Sequence, residues 1–85
     1  MSEDQVGVVA NFYTKLGVAA ISVTSGNIRK GDLLKFKGQT TDFTEEVTSM
    51  EIEKKAVEEA KAGDMVGVIV KERVRKKDKV YKVIA

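Results

Sequence analysis

Short runs of alternating apolar and polar residues recur along the chain and predict a protein made of β-strands. Successive side chains of a strand point to opposite sides of its sheet, so a period of two separates a core side from an outer side. In the run over residues 17–24, for example, Ala19, Ile21 and Val23 are expected to face the core. Six strands are predicted in this way, over residues 6–13, 17–24, 33–37, 43–53, 65–71 and 80–84.

The first two predicted strands are separated by Thr14 and Lys15, a connection short enough to make them an antiparallel hairpin. The period of two divides the residues of the first strand between its two sides. One side carries Val6, Val8, Ala10 and Phe12, and the other carries Gly7, Val9, Asn11 and Tyr13.

The fourth predicted strand, over residues 43–53, does not keep the period of two. Val47 is an odd-numbered apolar residue, whereas Met50 is even-numbered. A β-bulge near Thr48 and Ser49 would return both side chains to the core, and bulges also help a sheet to curl into a barrel.

Residues 51–62 are mostly good helix formers, which leaves a second interpretation of this region open. A helix there would bury only a thin apolar stripe. A single helical turn before Gly63 is therefore favoured over a full helix.

Glycine and aspartate mark the turns between the predicted strands, since glycine adopts the left-handed backbone conformation that tight turns need. Gly63 precedes Asp64 where the chain reverses, and it is expected to have a positive φ. Ile28 lies between two such turns and is expected to be a lone apolar anchor for its loop. The residues predicted to serve turn geometry are Gly26, Gly31, Asp32, Gly63, Asp64 and Gly67.

The length of 85 residues predicts one domain with a single core, spanning residues 1–85 with a frayed end over residues 1–4. The sequence contains no cysteine and no histidine. It therefore lacks thiolate chemistry, the commonest general base and the usual zinc ligands. We predict no metal site, no cofactor and no enzymatic activity.

No apolar run reaches the ~18 residues that a membrane span needs. The first residues are acidic, whereas a secretory signal begins with basic residues. These features predict a cytoplasmic protein without a membrane partner. The net charge of +2 is too small to indicate a nucleic-acid partner by itself, and the richness in Lys, Glu and Val is compatible with a heat-adapted source.

Three segments, in this order, resemble signatures of the second, β-barrel domain of translational GTPases such as elongation factor Tu and initiation factor two. Residues 26–32 are similar to that family's Gly-x-(Leu/Ile/Val)-(Lys/Arg)-x-Gly-Asp turn, and residues 47–51 to its Val-x-Ser-(Ile/Met)-(Glu/Gln) strand. Residues 59–68 are similar to its Ala-x-Ala-Gly-Asp-x-Val-Gly-(Leu/Val/Ile) signature. The resemblance implies an all-β fold, a closed antiparallel β-barrel of six strands or slightly more with at most one short helical turn.

The chain looks most like the small stand-alone translation elongation factor-like proteins that consist of this barrel, and a similar barrel ends some collagenase-like, U32-type peptidases. In elongation factor Tu the barrel helps to hold the aminoacyl end of tRNA, which implies an RNA partner. The family's first strand has a basic residue after a glycine, whereas Val8 follows Gly7 here. The sequence also lacks the Gly-x-x-x-x-Gly-Lys-(Ser/Thr) loop, so no GTPase activity and no nucleotide cofactor are expected.

Basic residues are concentrated before the last strand, where residues 71–82 hold seven cations and two anions. Such clusters can neutralise phosphates, and Lys35 and Lys37, on the outer side of the third predicted strand, can extend this one. The alternative is a solvated loop whose lysines protect a strand edge. The candidate RNA- or partner-binding residues are Arg29, Lys30, Lys35, Lys37, Arg73, Arg75, Lys76, Lys77 and Lys79.

Two functions are predicted from these features. The first is a non-catalytic binding module that contacts tRNA, rRNA or the ribosome through basic loops, with Tyr13, Phe43 and Tyr81 left open as surfaces for base stacking. The second is a protein–protein interaction module that acts as a detached accessory domain of a larger enzyme or assembly. Phosphate-mediated binding should weaken steeply as salt rises, whereas a hydrophobic protein interface should not.

Overall fold

Ten β-strands and no helix make up residues 2–84, the part of the chain that this computed structural model describes. Within this range there is accordingly no helix long and apolar enough to cross a membrane. The strands are β1 (Ser2–Tyr13), β2 (Val18–Val23), β3 (Asn27–Arg29), β4 (Leu33–Lys37), β5 (Asp42–Glu46), β6 (Met50–Ile52), β7 (Lys55–Ala56), β8 (Glu59–Lys61), β9 (Met65–Ile69) and β10 (Lys79–Ile84).

Eight of the strands form one antiparallel sheet in the order β5-β4-β10-β1-β2-β9-β6-β7, and β3 pairs with β8 in a second sheet. The longest strand, β1, lies between β10 and β2. The predicted hairpin is confirmed, since Tyr13 pairs with Val18 across a short turn. The all-β, barrel-like fold with antiparallel strands is also confirmed, with ten strands in the described range where six or slightly more were predicted.

The apolar core follows the predicted period of two in β2, β4 and β9. In β4, Leu34 and Phe36 are fully buried, and the Phe36 ring stacks on Phe43 of β5 with 5.1 Å between centroids. Removing this apolar surface from water is the main favourable term in folding. The buried apolar residues are Val6, Val9, Ala19, Ile21, Val23, Ile28, Leu34, Phe36, Val47, Met50, Ala60, Val66, Val68, Val70, Val74 and Val80.

The alternation predicted for β1 is wrong in the middle of the strand, because two β-bulges interrupt it. The pairing with β10 shifts between Gln5 and Gly7, and the pairing with β2 shifts between Val9 and Asn11. Each bulge adds one residue and exchanges the sides of the side chains that follow. As a result, Val6 and Val9 both face the core.

Residues 2–4, which belong to the segment predicted to fray, lie in β1 in this structure. Ser2 pairs with Ile84 and Asp4 pairs with Lys82, so the first strand begins at Ser2. This ladder joins the two ends of the described chain in neighbouring strands. The first residue lies outside the described range.

The predicted strand over residues 43–53 is two strands, β5 and β6, which pair with different neighbours. The residues between them carry the chain from the side of β4 to the side of β9. Val47 and Met50 are both buried. The change of period therefore occurs where it was predicted, but as a break between strands and not as a bulge.

Residues 51–62 form strands, so both the helix and the single helical turn considered for this region are wrong. β6 and β7 make a hairpin whose two-residue loop, Glu53 and Lys54, has left-handed φ values of 52° and 66°. β8 pairs with β3, which places Ile28 opposite Ala60 with both side chains fully buried. Tertiary packing here overrides helix propensity.

Three turns of the same construction connect to the starts of β4, β9 and β10. They span residues 29–32, 61–64 and 75–78, and each begins with a basic residue and ends with an aspartate. The aspartate carboxylate accepts a hydrogen bond from the first backbone N–H, at 2.8, 2.9 and 2.8 Å respectively. The third residue of each turn has a left-handed φ, namely +93° at Gly31, +99° at Gly63 and +75° at Lys77.

Candidate functional site

The outer side of β4 and β10 brings three of the candidate lysines together. Lys37 pairs directly with Lys79, and Lys35 pairs with Tyr81. Lys77, in the turn before β10, lines the same depression of about 300 Å³ as Lys37, Lys79 and Tyr81. Lys37, Lys77, Lys79 and Tyr81 are called the basic cluster below.

Backbone hydrogen bonds hold Lys77 and its turn against β1. The N–H of Lys77 donates to the carbonyl of Val9, and the N–H of Val9 donates to the carbonyl of Asp78, both at 2.8 Å. The Asp78 side chain is buried so tightly that a Cβ at Gly38 would overlap its Oδ1 atom. The Lys77 side chain therefore projects from a fixed backbone.

The lysines of the basic cluster have no carboxylate partner among residues 2–84. Like charges directly opposite each other on neighbouring strands destabilise a sheet, and Lys37 and Lys79 form such a pair. A bound anion would relieve this repulsion. The ion pairs present in the described range are Lys30–Glu58 at 3.4 Å, Lys35–Glu3 at 3.3 Å and Lys82–Asp32 at 3.1 Å.

The other candidate basic residues lie apart from the basic cluster. Arg29 and Lys30 belong to the turn that precedes β4, whereas the cluster lies at the far end of that strand, ~16 Å away for five extended residues. Arg73, Arg75 and Lys76 are exposed on the loop before Lys77 but do not line the depression. A binding role for the nine candidate basic residues named from the sequence stays a prediction.

Lys82 belongs to a half-buried polar network and not to the exposed cationic surface. Its Nζ lies 3.1 Å from Oδ2 of Asp32 and 3.0 Å from Oδ1 of Asn27. Asn27 donates in turn from Nδ2 to Oε2 of Glu59, at 2.6 Å. Because this network ties β10 to the β3–β8 sheet, the charge of Lys82 is satisfied within the fold.

The outer side of β2 and β9, on the other half of the sheet, is mostly apolar, with Ser22 as its polar residue. Val18 pairs with Tyr13 of β1 and with Ile69 of β9. Leu16, in the hairpin turn, and Met65 line a depression of about 400 Å³ together with Tyr13 and Val18. Tyr13, Leu16, Val18, Met65 and Ile69 are called the apolar face below.

The apolar face exposes large side chains to water: Tyr13 by 48%, Leu16 by 72%, Met65 by 51% and Ile69 by 50%. Gly67 deepens the surface because it carries no side chain, and a Cβ at this position would lie 3.2 Å from Cγ1 of Val18. Glu51, Glu53 and Lys54 form a charged rim on one side. An apolar patch with a polar rim is typical of a protein-binding surface.

The described part of the chain holds no group of three or more His, Cys, Asp or Glu side chains that could bind a metal ion. Within residues 2–84, every buried side-chain nitrogen and oxygen atom has a hydrogen-bond partner. The features that stand out on residues 2–84 are thus the two surfaces of the large sheet.

The sequence alone predicted the lysines of the basic cluster but not its tyrosine or the apolar face. Tyr81 was left open, although the period of two places it on the same side of its strand as Lys79. The same alternation puts Met65 and Ile69 opposite the buried valines of β9. The missing information was the pairing that joins these residues to those of other strands.

The family model for elongation factor Tu domain 2 matches residues 17–80. This range runs from the start of β2 to the beginning of β10 and includes all three segments on which the sequence resemblance rests. The predicted resemblance to the second domain of translational GTPases is therefore confirmed.

Two curated relatives match almost the whole chain. An uncharacterized protease of Methanocaldococcus jannaschii is 44% identical over 78 residues, which cover 91% of this chain and 19% of that protein. A collagenase of Porphyromonas gingivalis is 35% identical over 78 residues, which cover 91% of this chain and 22% of that protein. The chain thus spans about a fifth of the length of the curated relatives it matches.

Two solved structures share the fold. The C-terminal domain of a putative U32 peptidase from Geobacillus thermoleovorans has a TM-score of 0.87 and 20% identity, covering 95% of this chain and 93% of that one. Its selenomethionine variant has a TM-score of 0.85 and 20% identity, covering 91% and 96%. The similarity in backbone geometry extends over nearly the complete domain in both cases.

Proposed function

Because the chain belongs to the elongation factor Tu domain 2 family, we propose that it serves as a non-catalytic accessory domain that docks on a larger, protease-like protein through its apolar face. The curated relatives support this proposal, since they are named protease and collagenase and are about five times as long as the matched segment. In such proteins, about four-fifths of the chain lies outside the barrel and offers a surface to dock on.

The apolar face is the observation that carries the proposal. Its four largest exposed side chains include an aromatic residue and a methionine, types that are enriched at the centres of protein interfaces. Contiguous apolar surface of this kind is unfavourable in water. A folded protein surface would cover it, whereas a phosphate backbone would not.

The composition supports a binding role for the barrel itself. With no histidine and no cysteine, the chain lacks the side chains that most often act as general base or nucleophile. We assign the chemistry implied by the relatives' names to the part of those proteins that this chain does not match.

A chimera tests the docking. The chain replaces its matching segment in the Methanocaldococcus relative, and the thermal unfolding of the barrel is compared in the chimera and in isolation. Docking should raise the melting temperature of the barrel in the chimera, because burial of the apolar face stabilises the folded state. Replacing Leu16 and Ile69 with Ser should abolish this increase.

The control variant is Lys15→Ser, which alters an exposed neighbour of Leu16 and should keep the increase. In isolation, the double variant Leu16→Ser, Ile69→Ser should melt at the same temperature as the isolated unchanged chain. If the unchanged barrel melts at the same temperature in the chimera and alone, the proposal of docking through the apolar face is wrong.

We propose contact with RNA as a second function, because the basic cluster brings to one surface three lysines that have no carboxylate partner among residues 2–84. Neutralisation of phosphates by lysines makes binding sensitive to salt. Electrophoretic mobility shifts with structured and single-stranded RNA at two salt concentrations test this function. The shift should be present at low salt and weaken as salt rises, and its absence at low salt would rule the function out.

A further inference from the structure

We propose that the basic cluster binds a single-stranded polynucleotide, with one base stacked on the ring of Tyr81 and the adjacent phosphates held by Lys37, Lys77 and Lys79. The proposal rests on the RNA contact proposed as the second function and adds the kind of strand, the stacking residue and the set of lysines. The proposal follows from the arrangement of β4, β10 and the turn before β10, which together surround Tyr81.

The surroundings of Tyr81 make it a platform at the base of a depression. Its neighbours across the sheet are Lys35 on β4 and Gln5 on β1, and Lys79 lies on the same side of its own strand. The Tyr81 side chain is half-buried. Within residues 2–84 the aromatic rings in contact with each other are Phe36 and Phe43, so no other aromatic ring covers Tyr81. The Lys35–Glu3 ion pair, at 3.3 Å, joins β4 to β1 across β10 and lies beside Tyr81.

The lysines are placed to contact phosphates on one side of a base stacked on Tyr81, toward the start of β10. Lys37 and Lys79 face each other across β4 and β10, and Lys77 reaches the same depression from the turn. Single-stranded nucleic acids are typically bound by a cationic groove with an aromatic ring on which a base stacks. The combination of Tyr81 with three lysines has this composition.

Two unfavourable features coincide at the basic cluster. Lys37 and Lys79 bring like charges together, and Lys77 has a φ of +75° where the matching turns have glycine. Left-handed conformations of residues other than glycine are concentrated at functional sites. An anionic ligand would compensate the charge repulsion and would contact a lysine held in this unusual conformation.

The half-buried ring favours a single strand over a duplex. Bases in a duplex are stacked on their neighbours, whereas an unpaired base can turn its face to an aromatic side chain. A base that reaches Tyr81 must enter the depression that Lys37 and Lys77 also line. The site therefore selects for a flexible, unpaired strand.

Tyrosine fluorescence reports on stacking directly, because the chain has two tyrosines and no tryptophan. In the Tyr13→Phe variant, Tyr81 is the sole tyrosine. Adding an oligo(U) strand of about ten nucleotides, a length within the site size of small single-strand-binding domains, should quench this fluorescence. A converse variant, Tyr81→Phe, leaves Tyr13 on the opposite half of the sheet and should show no quenching while it still binds.

Affinity is measured by fluorescence anisotropy with labelled oligo(U), oligo(dT) and an RNA duplex. The Tyr81→Leu variant should lose roughly 5- to 150-fold in affinity for single strands, the range expected for one stacked base. Its salt dependence should be unchanged. Replacing Lys37 and Lys79 with Gln should lower the slope of log K against log salt by about 1.4, or 0.7 for each lost phosphate contact.

The exposed control is Lys15→Gln, which lies outside the basic cluster and should bind as the unchanged chain does. Thermal unfolding checks that each variant folds. Lys79 is exposed on the outer side of its strand, so the Lys79→Gln variant keeps the test decisive even where Tyr81→Leu unfolds.

The outcomes separate this inference from the proposed RNA contact. Absence of binding to every nucleic acid at low salt would overturn both. Binding without quenching, or equal affinity for duplex and single strand, would overturn the single-strand site and leave RNA contact standing. If poly-glutamate displaces labelled oligo(U) as well as unlabelled oligo(U) does, the surface binds polyanions in general and the single-strand site is overturned. Similar affinity for oligo(U) and oligo(dT) supports a polynucleotide site, and a preference for oligo(U) supports RNA as its ligand.

Discussion

The basic cluster and the apolar face lie on the same outer side of one sheet, yet their chemistry is opposite. On β4 and β10 the outward positions hold lysines around a tyrosine, with the apolar pair Leu33 and Val83 at the other end. On β2 and β9 the outward positions are apolar except for Ser22, and Met65 and Ile69 are half exposed. The strand β1 separates the two halves.

The inner side of the sheet does not show this division. Phe36 on β4 and Ile21 on β2 are both fully buried and contribute to one core. Packing in the core therefore determines the inner residues in both halves, whereas the outer residues are free of that requirement. Core packing therefore does not explain why the outer residues of the two halves differ.

The largest expected effect tests whether the apolar face is dispensable for folding. Ile21→Ala should destabilise the chain by about 2–5 kcal/mol, because it opens a cavity in the core. Ile69→Ala, the same change on the outer side of the adjacent strand, should alter stability by less than about 0.5 kcal/mol. Urea unfolding of the two variants measures both values. Equal destabilisation would mean that the apolar face supports the fold and is not reserved for a partner.

The inner side of β2, β4 and β9 could be predicted from the sequence, because regular antiparallel pairing keeps the period of two intact. Ile21 and Phe36 are examples of residues for which pattern and structure agree. The pattern failed where the ladder is irregular. In β1 the first of two bulges buries both Val6 and Val9. Gly7 lies at this bulge, and a glycine inside a strand is a bulge signal that the period of two does not take into account.

The candidate site could be predicted in part, because the sequence identifies its basic residues but not their arrangement. The repeated turns anchored by an aspartate were visible in the sequence, and so was the outward direction of Lys37. What the sequence does not contain is the register that sets Lys37 opposite Lys79 and places Tyr81 beside them. Register depends on bulges and on pairing between distant segments, which no local pattern specifies.

The second effect concerns the turn over residues 61–64, which leads into β9. Gly63→Val should destabilise by roughly 1–3 kcal/mol, because φ there is +99°, which strains a residue with a side chain. A steric clash is not the cause, since a Cβ at Gly63 would meet no atom within 4 Å among the described residues other than its chain neighbours. The matched control is Ala62→Val, an exposed change in the same turn that should be close to neutral. Thermal melting distinguishes the two. Equal melting temperatures would show that the glycine conformation is not required.

The third effect tests the charge repulsion assigned to the basic cluster. Lys79→Glu places a carboxylate opposite Lys37, and it should stabilise the chain by about 0.2–1 kcal/mol through a cross-strand pair of opposite charge. The same change should weaken binding to single-stranded nucleic acid. Lys15→Glu, which is exposed in the hairpin turn, serves as the control and should change neither. Destabilisation by Lys79→Glu would contradict the repulsion.

The smallest effect concerns Lys77, whose turn matches two others that have glycine at the same position. A left-handed conformation is unfavourable by about 1–2 kcal/mol for a residue with a side chain, while glycine loses about 0.5–1 kcal/mol more on folding. Lys77→Gly should therefore stabilise the chain by about 0.5 kcal/mol, the net of these opposing terms. If the charge of Lys77 contributes to binding, the same variant should bind single-stranded nucleic acid less tightly. Its salt dependence should fall by the amount that corresponds to about one phosphate contact. Stabilisation without any change in binding would mean that Lys77 lies outside the site, and the basic half of the sheet would then be defined by Lys37 and Lys79 alone.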